Sequence, residues 1–191
     1  MGMKCGLAHW TPAFHTTPKC FEKGGAHDIA GALYHAPTKV WHLMAGCWSA
    51  GGWQHMTSKD LVNWEIVGKP RSFGGTGGLV HDDDGSIVAY AMDGGELHFW
   101  KATDEHATNW TESETAFKAC CNDPIVWKDG GRWYAITAQH GATSSGGKNY
   151  GDETFFSSPH LIGPTSDWKP IPLFFMNKGS LLIPGHDMVH E

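Results

Sequence analysis

The sequence lacks several features that would assign it to a large class of proteins. It has no excess of basic residues, since 14 Lys and Arg stand against 20 Asp and Glu, and its formal net charge is −6. Because nucleic-acid binding needs a positively charged face, we expect no nucleic-acid partner. The sequence also has no long uncharged apolar run and no apolar leader at its start, so we expect no association with a membrane.

Patterns typical of metal sites are missing as well. The five cysteines fit no zinc spacing. The 13 histidines do not include the helical pair, four residues apart with an adjacent Glu, that zinc hydrolases carry. The sequence therefore predicts no metal site and no cofactor. The odd number of cysteines leaves both their disulfide state and the cellular compartment undecided.

No segment shows the sustained 3.6-residue periodicity of a helix. What the chain does contain is 25 Gly, 10 Trp and 12% aromatic residues, a composition typical of short strands between glycine turns. We therefore predict an all-β protein. The readable strands are residues 32–35, 40–45, 52–58, 78–81, 87–92, 97–102, 125–128 and 133–138, and hairpin turns are predicted at 82–85 and 128–131.

A weak internal repeat narrows this class to one architecture. A short polar loop ending in Trp follows a strand at residues 58–65, 103–110 and 164–168. Intervals of roughly 45 to 60 residues between such units match the blades of a β-propeller. We count about three blades, fewer than a closed propeller needs, and expect the chain to be the N-terminal part of a longer domain. Residues 1–23 are predicted to be an entry segment and 24–191 the incomplete propeller.

Two acidic residues stand at comparable places in this repeat. Asp28 follows the glycine turn at Gly24 and Gly25 and precedes a hydrophobic strand, and Asp123 likewise precedes the hydrophobic run that starts at Ile125. Each could simply be a turn residue that caps its own backbone. In a propeller, however, such strand starts meet at the axial pocket, and two acids there suit the hydrolysis of a glycosidic bond.

At this point the sequence resembles glycoside hydrolase family 32, the invertases (β-fructofuranosidases) and fructan hydrolases. The most specific match is Gly52-Trp53-Gln54-His55-Met56-Thr57-Ser58-Lys59-Asp60-Leu61-Val62-Asn63-Trp64, which resembles the family's Trp-Gly-His-Ala-X-Ser-Lys-Asp-Leu-X-X-Trp. Residues 27–31 align with the family's Asn-Asp-Pro-Asn-Gly motif. Residues 73–77 align with its Phe-Ser-Gly-Ser motif, and residues 122–124 align with its Arg-Asp-Pro motif.

The resemblance implies a five-bladed β-propeller, of which this chain supplies about the first three blades and the start of the fourth. It implies that Asp28 is the nucleophile, that Asp123 stabilises the transition state, and that Glu191, the last residue, is the general acid/base of the family's Glu-Cys-Pro motif. It further implies retaining cleavage of terminal β-fructofuranosides in sucrose or fructan through a covalent fructosyl-enzyme. We expect this chain alone to be inactive; the family is compatible with a secreted or vacuolar protein.

Substrate contacts are expected from His27, Trp53, Phe73 and Asn122, with Trp53 and Phe73 forming an apolar wall. The sequence departs from the family at several polar positions, where it carries His27, Ala45, Gly74 and Asn122. These departures keep two alternatives open. One is an inverting arabinan- or xylan-type hydrolase on a similar five-bladed fold, and the other is a non-catalytic sugar-binding propeller. A propeller that only binds other proteins is a weaker possibility.

Overall fold

The computed structural model describes residues 27–47, 51–119, 122–138, 155–171, 174–176 and 180–182. These residues form three four-stranded antiparallel sheets and one two-stranded antiparallel sheet. In each four-stranded sheet, consecutive strands pair with one another, which is the plan of a propeller blade. The predicted all-β architecture, with three blades and the start of a fourth, is therefore confirmed. No helix among the described residues is long and apolar enough to cross a membrane.

The strands run in chain order through the blades. Blade 1 consists of β1 (Ile29–His35), β2 (Val40–Cys47), β3 (Gly52–Ser58) and β4 (Glu65–Ile66). Blade 2 consists of β5 (Gly77–His81), β6 (Ile87–Asp93), β7 (Glu96–Ala102) and β8 (Trp110–Lys118). Blade 3 consists of β9 (Asn122–Asp129), β10 (Arg132–Ala138), β11 (Phe155–Ser158) and β12 (Lys169–Pro170), with a 3-10 helix at Thr165–Asp167. The two-stranded sheet consists of β13 (Phe174–Met176) and β14 (Ser180–Leu182).

The polar loops ending in Trp occupy one structural position in all three blades. Residues 58–65 join β3 to β4, residues 103–110 join β7 to β8, and residues 159–168 join β11 to β12. Each loop thus leads from the third strand of its blade to the fourth. In the first loop, the Asp60 carboxylate accepts hydrogen bonds from the backbone N–H groups of Val62 and Asn63, at 2.9 and 2.7 Å. These hydrogen bonds hold the pKa of Asp60 well below its ordinary value.

Two-residue hairpins connect strands within the blades. Gly130 and Gly131 join β9 to β10 with φ of 53° and 80°, and Gly94 and Gly95 join β6 to β7 with φ of 57° and 87°. Two successive positive φ angles define the type I′ turn, whose twist matches that of the flanking strands and which glycine adopts without strain.

The blades pack against each other through the two faces of their strands. On β6 the side chains of Val88, Tyr90 and Met92 join a hydrophobic cluster with blade 3, whereas those of Ile87, Ala89 and Ala91 join a cluster with blade 1. This division follows from the two-residue period of a strand, and it makes β6 an almost wholly buried run. The first strands are neighbours, because β1 contacts β5 and β5 contacts β9. Residues that begin these strands are thereby brought together.

Candidate active site

Asp28 lies directly before β1, as the sequence predicts. The backbone around it is held by β2, since the N–H of His27 donates to the carbonyl of Gly46 at 2.8 Å and the N–H of Gly46 donates to the carbonyl of Asp28 at 2.8 Å. The carboxylate itself remains open, with 65% of the side chain exposed. Its Oδ2 lies 2.8 Å from Nδ1 of the exposed His27.

Asp123 is the second residue of β9, and its backbone differs from that of Asp28. Its φ is 52°, in the left-handed region that residues with a side chain rarely adopt. The pairing of β9 with β10 is irregular here: Asn122 pairs with Ala138 and Ile125 with Ile136, with a register shift in between. The N–H of Asp123 instead donates to Oγ1 of Thr76 at 2.7 Å, across the boundary between blades 3 and 2.

The two acids line the same cavity, which has a volume of about 230 Å³. Blades 1, 2 and 3 all contribute to it, so the cavity lies where the first strands of the three blades meet. The remaining lining residues are Ile29, Ala30, Gly46, Trp53, Gly75, Thr76, Gly77, Pro124 and Ile125. A concave site of mostly apolar surface with two carboxylates at its edge is suited to a sugar, whose ring has apolar faces and hydroxyl edges.

Trp53 forms the base of this cavity. Its side chain is fully buried, and its Nε1–H donates to the carbonyl of Gly75 at 2.8 Å. A Cβ on Gly77 would overlap the carbonyl oxygen of Tyr90 and lie 2.8 Å from the Trp53 ring, so only glycine fits between them. Trp53 therefore supports the cavity from beneath; in this structure it presents no accessible ring face on which a sugar could stack.

The other predicted site residues have different positions. Phe73 does not line the cavity; it is buried behind Trp53, with the ring centroids 5.4 Å apart in an edge-to-face arrangement. Asn122 begins β9, and only its backbone is described. Glu191 lies outside the described residues. The structure thus brings together Asp28, Asp123 and Trp53, with His27 in contact with the first acid.

Sequence reasoning missed Thr76, the residue that holds Asp123. A signal was present, because Thr76 stands on the second Ser of the Phe-Ser-Gly-Ser motif that the segment 73–77 resembles. Thr76 carries a hydroxyl as that Ser does, whereas Gly74 stands at the position of the first Ser and carries none. The apolar lining residues Ile29 and Ile125 were likewise missed as site residues, although each follows its acid within two positions.

A second group of titratable side chains lies within blade 1. Nδ1 of His42 is 2.9 Å from Nε2 of His55, the rings are stacked, and both residues are almost fully buried. Burial lowers the pKa of His42 to about 4 and that of His55 to about 3, because a charged imidazole there would lose its hydration. Both rings are therefore neutral at pH 7. In the described part of the chain, no group of three or more His, Cys, Asp or Glu could hold a metal ion.

Comparison with known proteins supports the fold. No protein-family model matches the sequence, and no curated protein matches it. Solved structures do. One is an α-L-arabinofuranosidase (CtGH43) from Clostridium thermocellum, with a TM-score of 0.58 and 14% identity over 77% of this chain and 51% of that chain. A second is a fructofuranosidase from Schwanniomyces occidentalis complexed with fructose, with a TM-score of 0.57 and 21% identity over 82% of this chain and 35% of that chain.

A third similar structure is an exo-β-1,3-galactanase from Phanerochaete chrysosporium, with a TM-score of 0.56 and 15% identity over 74% of this chain and 34% of that chain. All three proteins are glycosidases by name. At such low identity these similarities establish the propeller fold of this chain and not its activity. The chain spans between about a third and a half of the length of these proteins.

Proposed function

We propose that the full-length protein containing this chain is a glycoside hydrolase that cleaves terminal β-fructofuranosides, such as sucrose or fructan, with retention of configuration. The observation that carries this proposal is that Asp28 and Asp123, from different blades, line one cavity. The motif resemblance of residues 52–64 supports the fructoside, and so does the structural similarity to a fructofuranosidase complexed with fructose.

In this mechanism Asp28 is the nucleophile. One of its oxygens, Oδ2, contacts His27, so Oδ1 is the oxygen that would attack the anomeric carbon of fructose. The bond from that carbon to the leaving oxygen breaks as the fructosyl ester forms, and an acid must protonate the leaving oxygen. The resemblance assigns this acid to Glu191, which would then take a proton from the water that hydrolyses the ester.

Asp123 would act without bonding covalently to the sugar. A carboxylate beside the fructosyl group accepts hydrogen bonds from its hydroxyls and favours the positive charge that develops at the anomeric carbon. The value of such a carboxylate depends on its being held in place before the substrate arrives. The cavity wall formed by Ile29 and Ile125 would contact the apolar face of the sugar, because both side chains are exposed beside the acids.

A second candidate is an inverting hydrolase of the arabinan or xylan type. The structural similarity to an α-L-arabinofuranosidase favours it, at a TM-score of 0.58. The two mechanisms differ in the separation of the essential carboxyl groups, which is about 5–5.5 Å for retention and about 6.5–9.5 Å for inversion. NMR of the first product anomer distinguishes them: retention yields the β-anomer from a β-fructofuranoside, whereas inversion yields the β-anomer from an α-L-arabinofuranoside and the α-anomer from a β-xyloside.

The test of the proposed function is the Asp28→Asn variant of the full-length protein. Asn has nearly the same shape but cannot attack as an anion, so fructose release from sucrose and fructan should fall by roughly 1,000-fold or more. Asp167→Asn, in the 3-10 helix of blade 3, is the matched control and should keep full activity. Fructose release that survives Asp28→Asn would exclude Asp28 as the nucleophile. Fructan binding in calorimetry without any turnover by the unaltered protein would instead identify a sugar-binding propeller.

A further inference from the structure

The two-residue segment Gly75–Thr76 connects all three blades. The carbonyl of Gly75 accepts a hydrogen bond from Nε1–H of Trp53 in blade 1, at 2.8 Å. Within blade 2, the N–H of Gly75 donates to the carbonyl of Met92 at 2.6 Å, and the N–H of Met92 donates to the carbonyl of Thr76 at 2.9 Å. The Thr76 hydroxyl then accepts from the N–H of Asp123 in blade 3, at 2.7 Å. The segment is thus fixed to two buried residues, Trp53 of blade 1 and Met92 of blade 2, and in turn binds the backbone of Asp123 in blade 3.

Asp123 needs such a restraint more than an ordinary strand residue does. A left-handed backbone at a residue other than glycine costs of the order of 1–3 kcal/mol and persists only where its surroundings enforce it. The register shift between β9 and β10 takes Asp123 out of the regular pairing. The hydrogen bond to Thr76 replaces a strand partner for its N–H.

We infer that Thr76 is a positioning residue, whose hydroxyl holds the backbone of Asp123 and thereby aims the Asp123 carboxylate into the cavity. This inference rests on the proposed function. Thr76 is suited to this part because its own backbone is fixed by Met92 and it lines the cavity beside Asp123. Its contribution to the reaction passes through the backbone of Asp123.

A merely structural threonine would behave differently, and the chain contains one for comparison. Thr115 of β8 is almost fully buried, donates from Oγ1 to the carbonyl of Gly163 at 2.6 Å, and accepts from the N–H of Gly163 at 2.9 Å. Its loss leaves buried polar groups unpaired and should reduce stability. The N–H of Asp123 lies at an exposed residue, so water replaces the lost acceptor at little cost in stability.

The experiment compares Thr76→Val, Thr76→Ser and Thr115→Val in the full-length protein. Thr76→Val removes the hydroxyl at nearly constant shape and should lower kcat by about 10- to 100-fold, with a smaller change in KM and little change in Tm, because a displacement of about 1 Å at a reacting site can cost 100-fold. Thr76→Ser keeps the hydroxyl and should restore most of kcat. Thr115→Val should lower Tm and leave kcat unchanged.

A second readout separates this inference from the proposed function. Hydrogen exchange at the Asp123 amide, followed by mass spectrometry, should accelerate at least about tenfold in Thr76→Val and return towards the original rate in Thr76→Ser. If the unaltered protein turns over no glycoside but the exchange behaves as expected, the proposed function fails while the restraint on Asp123 stands. If exchange is unchanged, or if Thr76→Val lowers only Tm, Thr76 does not position Asp123.

Discussion

Blades 1 and 3 each present an acid to the same cavity, yet they hold it in different ways. Asp28 directly precedes β1, has a negative φ, and is anchored by backbone hydrogen bonds to Gly46; the register shift of β1 against β2 comes after it, between Ile29 and Gly31. Asp123 lies in an irregular part of its strand with φ of 52° and is anchored by a side chain of another blade. The hydrogen bonds that anchor the backbone of Asp28 thus lie within blade 1, whereas the one that anchors Asp123 crosses from blade 3 to blade 2.

The interiors of the two blades differ as well. Blade 3 joins blade 2 in an apolar cluster that includes Val126, Trp133 and Phe156. Blade 1 also joins blade 2 in an apolar cluster, but it additionally buries three histidines, His35, His42 and His55, whereas the buried polar residues of blade 3 among those described are Thr137, Ser157 and Ser158. The burial of apolar side chains contributes to the free energy of unfolding independently of pH, whereas the contribution of buried imidazoles changes with pH. Asp28 therefore stands on blade 1, the blade whose stability we expect to depend more strongly on pH.

The largest predicted effect is a loss of stability at mildly acidic pH that originates in blade 1. An unfolded His has a pKa near 6.5, whereas burial lowers that of His42 to about 4 and that of His55 to about 3. Between pH 6.5 and about 4 the unfolded chain therefore binds more protons, and the folded state loses stability as the pH falls. Urea unfolding at pH 7.5, 6.5, 5.5 and 4.5 should show a loss of a few kcal/mol.

Charged neighbours also shift the pKa values of the two buried histidines, His42 and His55. Positive charge at His35, His106 and His81 lowers the pKa of His42 further. Positive charge at His42 and Arg71 lowers the pKa of His55, and Asp104 raises the pKa of both. The double variant His42→Asn/His55→Gln keeps a hydrogen-bonding group at each ring position and cannot charge there. Its loss of stability over this range should be much smaller, with the remainder coming from His35, whose pKa burial also lowers. His160→Gln, at an exposed residue, should keep the original slope. If the free energy of unfolding of the double variant falls with pH as steeply as that of the unaltered protein, His42 and His55 are not the cause of the loss of stability in acid.

The next effect in size tests the backbone difference between the two acids. Glycine adopts a positive φ without strain but costs stability in an extended position. Asp123→Gly should therefore be more stable than Asp28→Gly by about 1–2 kcal/mol in urea unfolding. Asp123→Ala and Asp28→Ala remove the same carboxylates and keep a Cβ, so the Gly-minus-Ala difference at each site isolates the backbone. Equal differences at the two sites would mean that the left-handed conformation of Asp123 carries no strain.

Much of this fold could be predicted from sequence because its signals are local. Every strand read from composition and glycine turns lies within an observed strand, and the turn at 128–131 is the observed hairpin. The loops ending in Trp mark one position in each blade because each makes the same connection. β8 (Trp110–Lys118) was missed, since its polar and charged residues, four of nine exposed, do not resemble a buried strand. The short strands β4 and β11 to β14 were missed as well.

The site was less predictable because it is assembled from non-local contacts. That Asp28 and Asp123 share a cavity follows from the repeat, which places strand starts side by side. Nothing in the local sequence shows that Thr76 reaches Asp123, 47 residues away, or that Phe73 packs behind Trp53 instead of lining the cavity. Those contacts depend on how the blades meet, which the strand pattern alone does not specify.

The smallest predicted effect concerns His27, the side chain that contacts Asp28. Both partners of this contact are about two-thirds exposed, at 67% and 65%, and exposed pairs contribute at most about 1 kcal/mol. His27→Ala should therefore change the free energy of unfolding by less than about 0.5 kcal/mol and lower kcat/KM less than tenfold, with His160→Ala as the exposed control. Asp28 keeps its backbone anchor to Gly46 in this variant, whereas Asp123 loses its anchor in Thr76→Val. A loss of activity from His27→Ala larger than that from Thr76→Val would reverse the contrast, and would mean that Asp28 is the acid whose position depends on a side chain.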